Sequence, residues 1–234
     1  MKILWQLDAL RYEIRVLGIL LFGIPLLFAF GIAALTEFLQ IGHVNETFIN
    51  DVLIAALEAC LPLAGGIIAA TVATQDPAIE LQLTLPLPYR ITTFCRLALI
   101  LIWTVLIALI STLALHIVLP SVLPTSLAQG QLVWLAPLLW FTAVGTMLAL
   151  LMRNRSTCSA ILGCLWVMQL AFHGYFLATT WTRPWFLFTT LYAPTISFWF
   201  LNRIELILTA IVVFIAAWFY LHNSEWRFFG EEDK

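Results

Sequence analysis

Long apolar runs alternate with short polar breaks along almost the whole chain, and the period is that of helices rather than strands. Six runs meet or approach the roughly 20 apolar residues that a helix needs to cross a bilayer core. They are Val16 to Thr36, Val52 to Thr74, Leu97 to Leu119, Leu132 to Met152, Ser156 to Thr180 and Ile204 to Leu221. Between Leu97 and Met152 there is no charged residue, and the proline-bearing stretch PSVLPTSLAQGQ at 120–131 splits this region into two antiparallel spans joined by a hairpin. Ahead of the first run, Ile3, Leu7, Leu10, Ile14 and Leu17 recur at helical spacing, with Lys2, Asp8, Arg11 and Arg15 elsewhere on the wheel. That pattern predicts an amphipathic helix over 1–15 lying in the membrane interface, with Trp5 at headgroup depth and Arg11 and Arg15 on its polar side.

Two segments fit neither a span nor a plain turn. Residues 181–203, WTRPWFLFTTLYAPTISFWFLNR, are too apolar for a solvated loop and too interrupted by Pro184 and Pro194 for one helix. Two short helices that dip into the membrane and return would satisfy both constraints, provided that protein buries their ends. Trp181, Trp185, Tyr192 and Trp199 suit the outer headgroup region. The second segment, DPAIELQLTLPLPYR at 76–90, lies between the second and third runs. Asp76 can cap a helix that opens at Pro77, and Ile79 and Leu83 set against Glu80 and Thr84 give it two unlike sides. Pro86 and Pro88 stop it, since neither donates a backbone hydrogen bond. The expected product is a short stiff lever with a charged face.

Composition agrees with the pattern. Of 234 residues, 62% are apolar and 10% charged, with a mean hydropathy of +0.99, whereas a soluble chain carries about a quarter charged residues. The fold class expected is an all-α integral membrane protein. It would be one transmembrane domain over 1–234 with six transmembrane helices, the interfacial helix, and a re-entrant outer hairpin before the last helix. Basic residues stay on the cytoplasmic side of short loops. Lys2, Arg11, Arg15, Arg90, Arg96, Arg153, Arg155, Arg227 and Lys234 share one side, against Arg183 and Arg203 on the other. This nine-to-two bias makes both termini, and the 76–90 segment, cytoplasmic.

Candidate chemistry is sparse. The only lysines are Lys2 and Lys234, so no GxxxxGK[ST] phosphate loop exists in the chain, and there is no HExxH or GxSxG. A net charge of −2 without a basic cluster gives no face for nucleic acid. Cys60, Cys95, Cys158 and Cys164 lack metal or disulfide spacing and read as small packing residues. His116 and His173 lie in spans, more as bundle hydrogen-bonders than as ligands. Glu58, one turn before Pro62, is costly at membrane depth unless paired or facing water. Two readings stay open for it: part of a polar translocation path, or a helix-packing partner near the outer surface. Glu37 and Glu205 end the first and last spans, with Arg203 near enough to Glu205 to share its environment.

The order of interfacial helix, two spans, acidic cytoplasmic segment ending in a leucine-proline element, four further spans and a re-entrant hairpin resembles the permease subunit of ABC-2 type transporters. Asp76, Glu80, Leu81, Leu83, Leu85, Pro86, Pro88 and Arg90 match the acidic start and L-x-x-x-P-x-x-R-like end of that family's coupling helix; Pro77 departs from its more usual glycine-containing stretch. The resemblance implies that Asp76, Glu80, Leu83, Pro86, Pro88 and Arg90 contact a separate P-loop ABC ATPase, which would hold ATP and Mg, so that this chain has no cofactor, metal or catalytic residue of its own. It also implies a second permease subunit, identical or paralogous, a prokaryotic plasma membrane, and export. Leu, Ile, Ala and Phe in the spans lean toward a hydrophobic or amphipathic cargo. The alternative is a membrane structural or assembly factor without transport. An intramembrane enzyme ranks last, since Glu58, His116 and His173 are its only material.

Overall fold

A computed structural model describes residues 18–74, 89–119 and 127–229, and these fold as helices joined by turns. We label them α1 (Ile19–Ile41), α2 (Glu46–Thr74), α3 (Tyr89–Val118), α4 (Leu127–Met152), α5 (Arg155–Ala171), α6 (His173–Ala178), α7 (Thr189–Tyr192) and α8 (Trp199–Phe229). Among the described residues five helices, α1 to α4 and α8, are long and apolar enough to cross a membrane, which marks a multi-pass integral membrane protein. The interfacial helix expected over 1–15, and the lever at Asp76, Glu80, Leu83, Pro86 and Pro88, lie outside the described residues.

The six-run reading needs correction at its fifth member. Ser156 to Thr180 is not one helix: Asn154 caps α5 by accepting from Ser156 N and Thr157 N, and the helix ends at Phe172, whose φ of −106° and ψ of 24° leave the helical region. A short α6 then restarts at His173. Polar side chains gather at the break. Gln169 is buried and turned toward another segment, and His173 Nδ1 lies 3.0 Å from the Leu170 carbonyl. A second correction concerns the outer segment, which ends at Phe198 rather than 203, so that Arg203 belongs to the last helix. Likewise Arg90 stands in the first turn of α3, where its Nη1 donates to His222 Nδ1 and its guanidinium lies 5.4 Å over the Trp218 ring of α8.

The core forms around α4, which packs against α2 on one side and α8 on another, with α5 also against it. Trp134, Leu138, Phe141 and Ala143 of α4 are essentially inaccessible. Close approach of α2 and α4 rests on glycine. A Cβ on Gly145 would sit 2.4 Å from the Gly66 carbonyl oxygen, and one on Gly66 would sit 2.9 Å from that of Phe141. Such small-residue crossings let helix backbones touch where lipid supplies no hydrophobic drive to association. The opposite pattern holds on α1, where Leu27, Phe30, Phe38 and Ile41 are each more than 70% exposed, a face stable only against hydrocarbon. Hydroxyls in the spans are hidden by back-bonding to their own helix, as in Thr36 to Ile32 O and Thr71 to Ile67 O, both at 2.8 Å. Cys158 is buried as a packing residue, but Cys60, Cys95 and Cys164 face outward, which the sequence reading did not expect.

Candidate functional site

Pro62 shapes the place where Glu58 sits. A proline has no N–H, and its ring crowds the carbonyl four residues before it, which here is that of Glu58. The chain answers with one wide π turn over Ala56–Cys60, inserted between the two α-helical parts of α2. Such a turn re-aims side chains and carbonyls. The Ala59 carbonyl accepts a 3.0 Å hydrogen bond from Trp166 Nε1 of α5, and the Glu58 side chain is directed at the segment between α6 and α8.

That segment folds back into the bundle. Thr182 closes a turn on the end of α6 through bonds to the Phe176 and Thr179 carbonyls, and the short 3-10 turn Arg183–Trp185 follows. Phe186, Leu187 and Phe188 then plunge inward with no exposed surface, and Phe186 stacks on Phe176 at 5.7 Å. Trp181, Trp185 and Tyr192 remain exposed around this plug, whereas Trp199 is half-buried.

Burying an irregular chain strands its amides and carbonyls, each of which must find a partner. Glu58 supplies two: one carboxylate oxygen accepts from Thr190 N at 2.9 Å, the other from Leu191 N at 2.7 Å. Arg203 of α8 closes the set. Its Nη2 donates to Glu58 Oε1 and, at 2.8 Å, to Thr190 Oγ1, while Nη1 donates to the Leu187 carbonyl at 2.9 Å. Both ion-pair partners are 0% exposed. Around them Asn202 Nδ2 donates to the Arg183 and Phe186 carbonyls, and Gln169 Oε1 accepts from Leu187 N at 2.9 Å. Trp199, with Arg203 over its ring at 5.4 Å, donates its indole N–H to Thr190 Oγ1.

The arrangement ties three parts together: α2, α8 and the segment between α6 and α8. Glu58 is enclosed and its carboxylate is spent on Arg203 and two backbone amides, which weighs for the packing reading of this residue over the translocation path. Its partners are not histidines: His173 stacks flat on Tyr192, with centroids 4.1 Å apart, and His116 is half-buried toward the end of α3. Arg203 pairs with Glu58 rather than sharing the environment of Glu205, and Glu37 is exposed on α1. Sequence reasoning missed the Arg203 pairing and the roles of Gln169 and Asn202. The available signal was two opposite charges, Glu58 and Arg203, each within an apolar run or at its edge.

Comparison with protein-family models, curated proteins and solved structures finds no match to this chain.

Proposed function

We propose that the chain is the membrane-spanning permease subunit of an ABC-2 type transporter, driven by ATP hydrolysed in a separate subunit, with a hydrophobic or amphipathic cargo. The observation that carries the reading is the cross-bracing of α2, α4 and α8. Glycine contact holds α2 to α4, and Glu58 in the middle of α2 with Arg203 near the start of α8 holds both helices to the segment before α8. A block braced in this way transmits force. The 76–90 segment joins the inner end of α2 to α3, so a partner pushing on it would move α2 and, through the ion pair, the outer segment together.

Six crossings follow if α5 and α6 cross as one interrupted unit. Residues 155–178 would reach roughly 35 Å as helix, enough for the hydrocarbon core. The outer segment then acts as a re-entrant hairpin, and both termini are cytoplasmic. That orientation rests on the bias of nine basic residues on the side of the termini against Arg183 and Arg203 on the other. A permease equilibrium moves only as far as its ATPase discriminates between the two states, so contact residues should separate coupling from assembly. Glu80→Arg is expected to leave the folded bundle intact while uncoupling ATP turnover from transport; normal transport by this variant would remove Glu80 from the contact.

A further inference from the structure

A cavity of about 250 Å³ lies between α3 and α8, floored by α2 and α4. It is well above the roughly 150 Å³ of an apolar cavity that stays dry and accepts a benzene-sized guest. Gly65 and Ala69 of α2 form part of the floor, Leu97 and Leu101 of α3 one wall, and Phe214 of α8 another. The three threonines in the lining offer no free donor. Thr104 donates to the Ile100 carbonyl at 2.9 Å, Thr142 to those of Leu138 and Leu139, and Thr146 to that of Thr142 at 2.7 Å. Sites for drug-like or peptide ligands carry a few placed polar groups that fix orientation. This one has none, so its occupant must bind through apolar area alone.

The mouth indicates which apolar occupant. Ala98 lines the cavity and is itself exposed, while Phe94 and Phe214 at its edges are half-buried. Ala98 also belongs to a stripe on α3 that runs from Ile91 and Cys95 through Ile102, Leu106 and Leu109, all exposed. In a helix that crosses a bilayer, such a stripe lies against hydrocarbon. The cavity therefore opens onto acyl chains and is lined to receive one.

We propose that this cavity is a binding site for one acyl chain of a membrane lipid, entering past Ala98 between α3 and α8 and resting on the glycine floor of α2. The site needs the helices to lie in a bilayer but needs no ATPase, so it and the permease reading fail separately.

The test uses the full chain in nanodiscs containing phosphatidylcholine with a diazirine near the end of one acyl chain, photolysed and mapped by mass spectrometry. Label is expected on Phe94 to Leu101 and on Phe214 in excess of that on Ile102, Leu106 and Ile110 of the open lipid face. Ala98→Trp, at an exposed position where folding is not at stake, plugs the mouth and should lower cavity labelling by about tenfold, equivalent to about 1.4 kcal/mol. Ala69→Leu, which fills the floor, should do the same, and Ile110→Trp should leave cavity labelling unchanged. Labelling no higher than on the open face, or unaltered by both filling variants, would overturn the proposal. So would an intermolecular cross-link seating a second copy of the chain in the cleft.

Discussion

Glu58→Gln changes almost nothing in size and should nonetheless be among the most damaging substitutions in the chain. The wild-type carboxylate accepts from Thr190 N, Leu191 N and Arg203 with no water access. The amide retains one acceptor oxygen, and either orientation turns its NH2 onto a donor: onto Arg203 and Thr190 N in one, onto Leu191 N in the other. Arg203 is left as an uncompensated charge in an apolar bundle, for which breaking a buried pair costs about 3–5 kcal/mol. Against a total stability of order 5–15 kcal/mol, that is at least about a fifth of what holds the fold. Arg203→Met strands the carboxylate and should cost a similar amount. The double variant Glu58→Gln with Arg203→Met removes both charges, and its cost should fall well below the sum of the singles, a coupling of up to about 3 kcal/mol. SDS titration of the purified protein in bicelles, followed by circular dichroism, measures all three. Amide exchange adds a local readout, since Thr190 and Leu191 should lose protection before α4 does. The exposed Glu37→Gln serves as control, expected within about 0.5 kcal/mol of wild type. Single variants costing less than about 1 kcal/mol, with additive double-variant behaviour, would refute the enclosed ion pair.

Gly145→Ala should destabilise by about 1–3 kcal/mol in the same titration, because its Cβ meets the Gly66 carbonyl, while Gly163→Ala, with open space around it, should be neutral or mildly stabilising. Trp166→Phe removes the indole N–H that the Ala59 carbonyl accepts from at the π turn, together with part of the ring, at a cost of about 1–3 kcal/mol seen as a lower SDS midpoint. Asn202→Leu removes the donor to two carbonyls of the plug and should raise protease cleavage between Arg183 and Tyr192 without unfolding α4.

Hydrophobic periodicity located the long helices α1 to α4 and α8 because a membrane span is set by length and apolar content, which are local properties. Their ends were read too far in: α2 begins at Glu46 rather than Val52 and α3 at Tyr89 rather than Leu97. Polar residues at these ends continue the helix by backbone bonding, which a hydropathy threshold cannot register. The break at Phe172 was missed because the apolar character of the chain continues straight through it, while its cause is tertiary, with Gln169 and His173 serving neighbouring segments. The segment before α8 was expected to form two short helices needing buried ends; it holds the 3-10 turn Arg183–Trp185 and the single turn α7 instead, and only its irregular course was anticipated, from Pro184 and Pro194. What buries those ends was not, because Glu58 and Arg203 stand 145 residues apart and no local pattern pairs them. The glycines at 65 and 66 suggested close backbone approach, but only the fold supplies Gly145 and Phe141 as the surfaces approached.

The most direct measurement of the permease reading is purification of the chain from its native membranes in mild detergent, with co-purifying proteins identified by mass spectrometry and assayed for ATP hydrolysis. The expected result is a stoichiometric P-loop ATPase that is lost when Asp76 and Glu80 are replaced by asparagine and arginine, while Glu58–Arg203 bracing and helix content are retained. Recovery of the chain alone, or with membrane proteins that hydrolyse no ATP, would contradict the reading and favour a structural or assembly role.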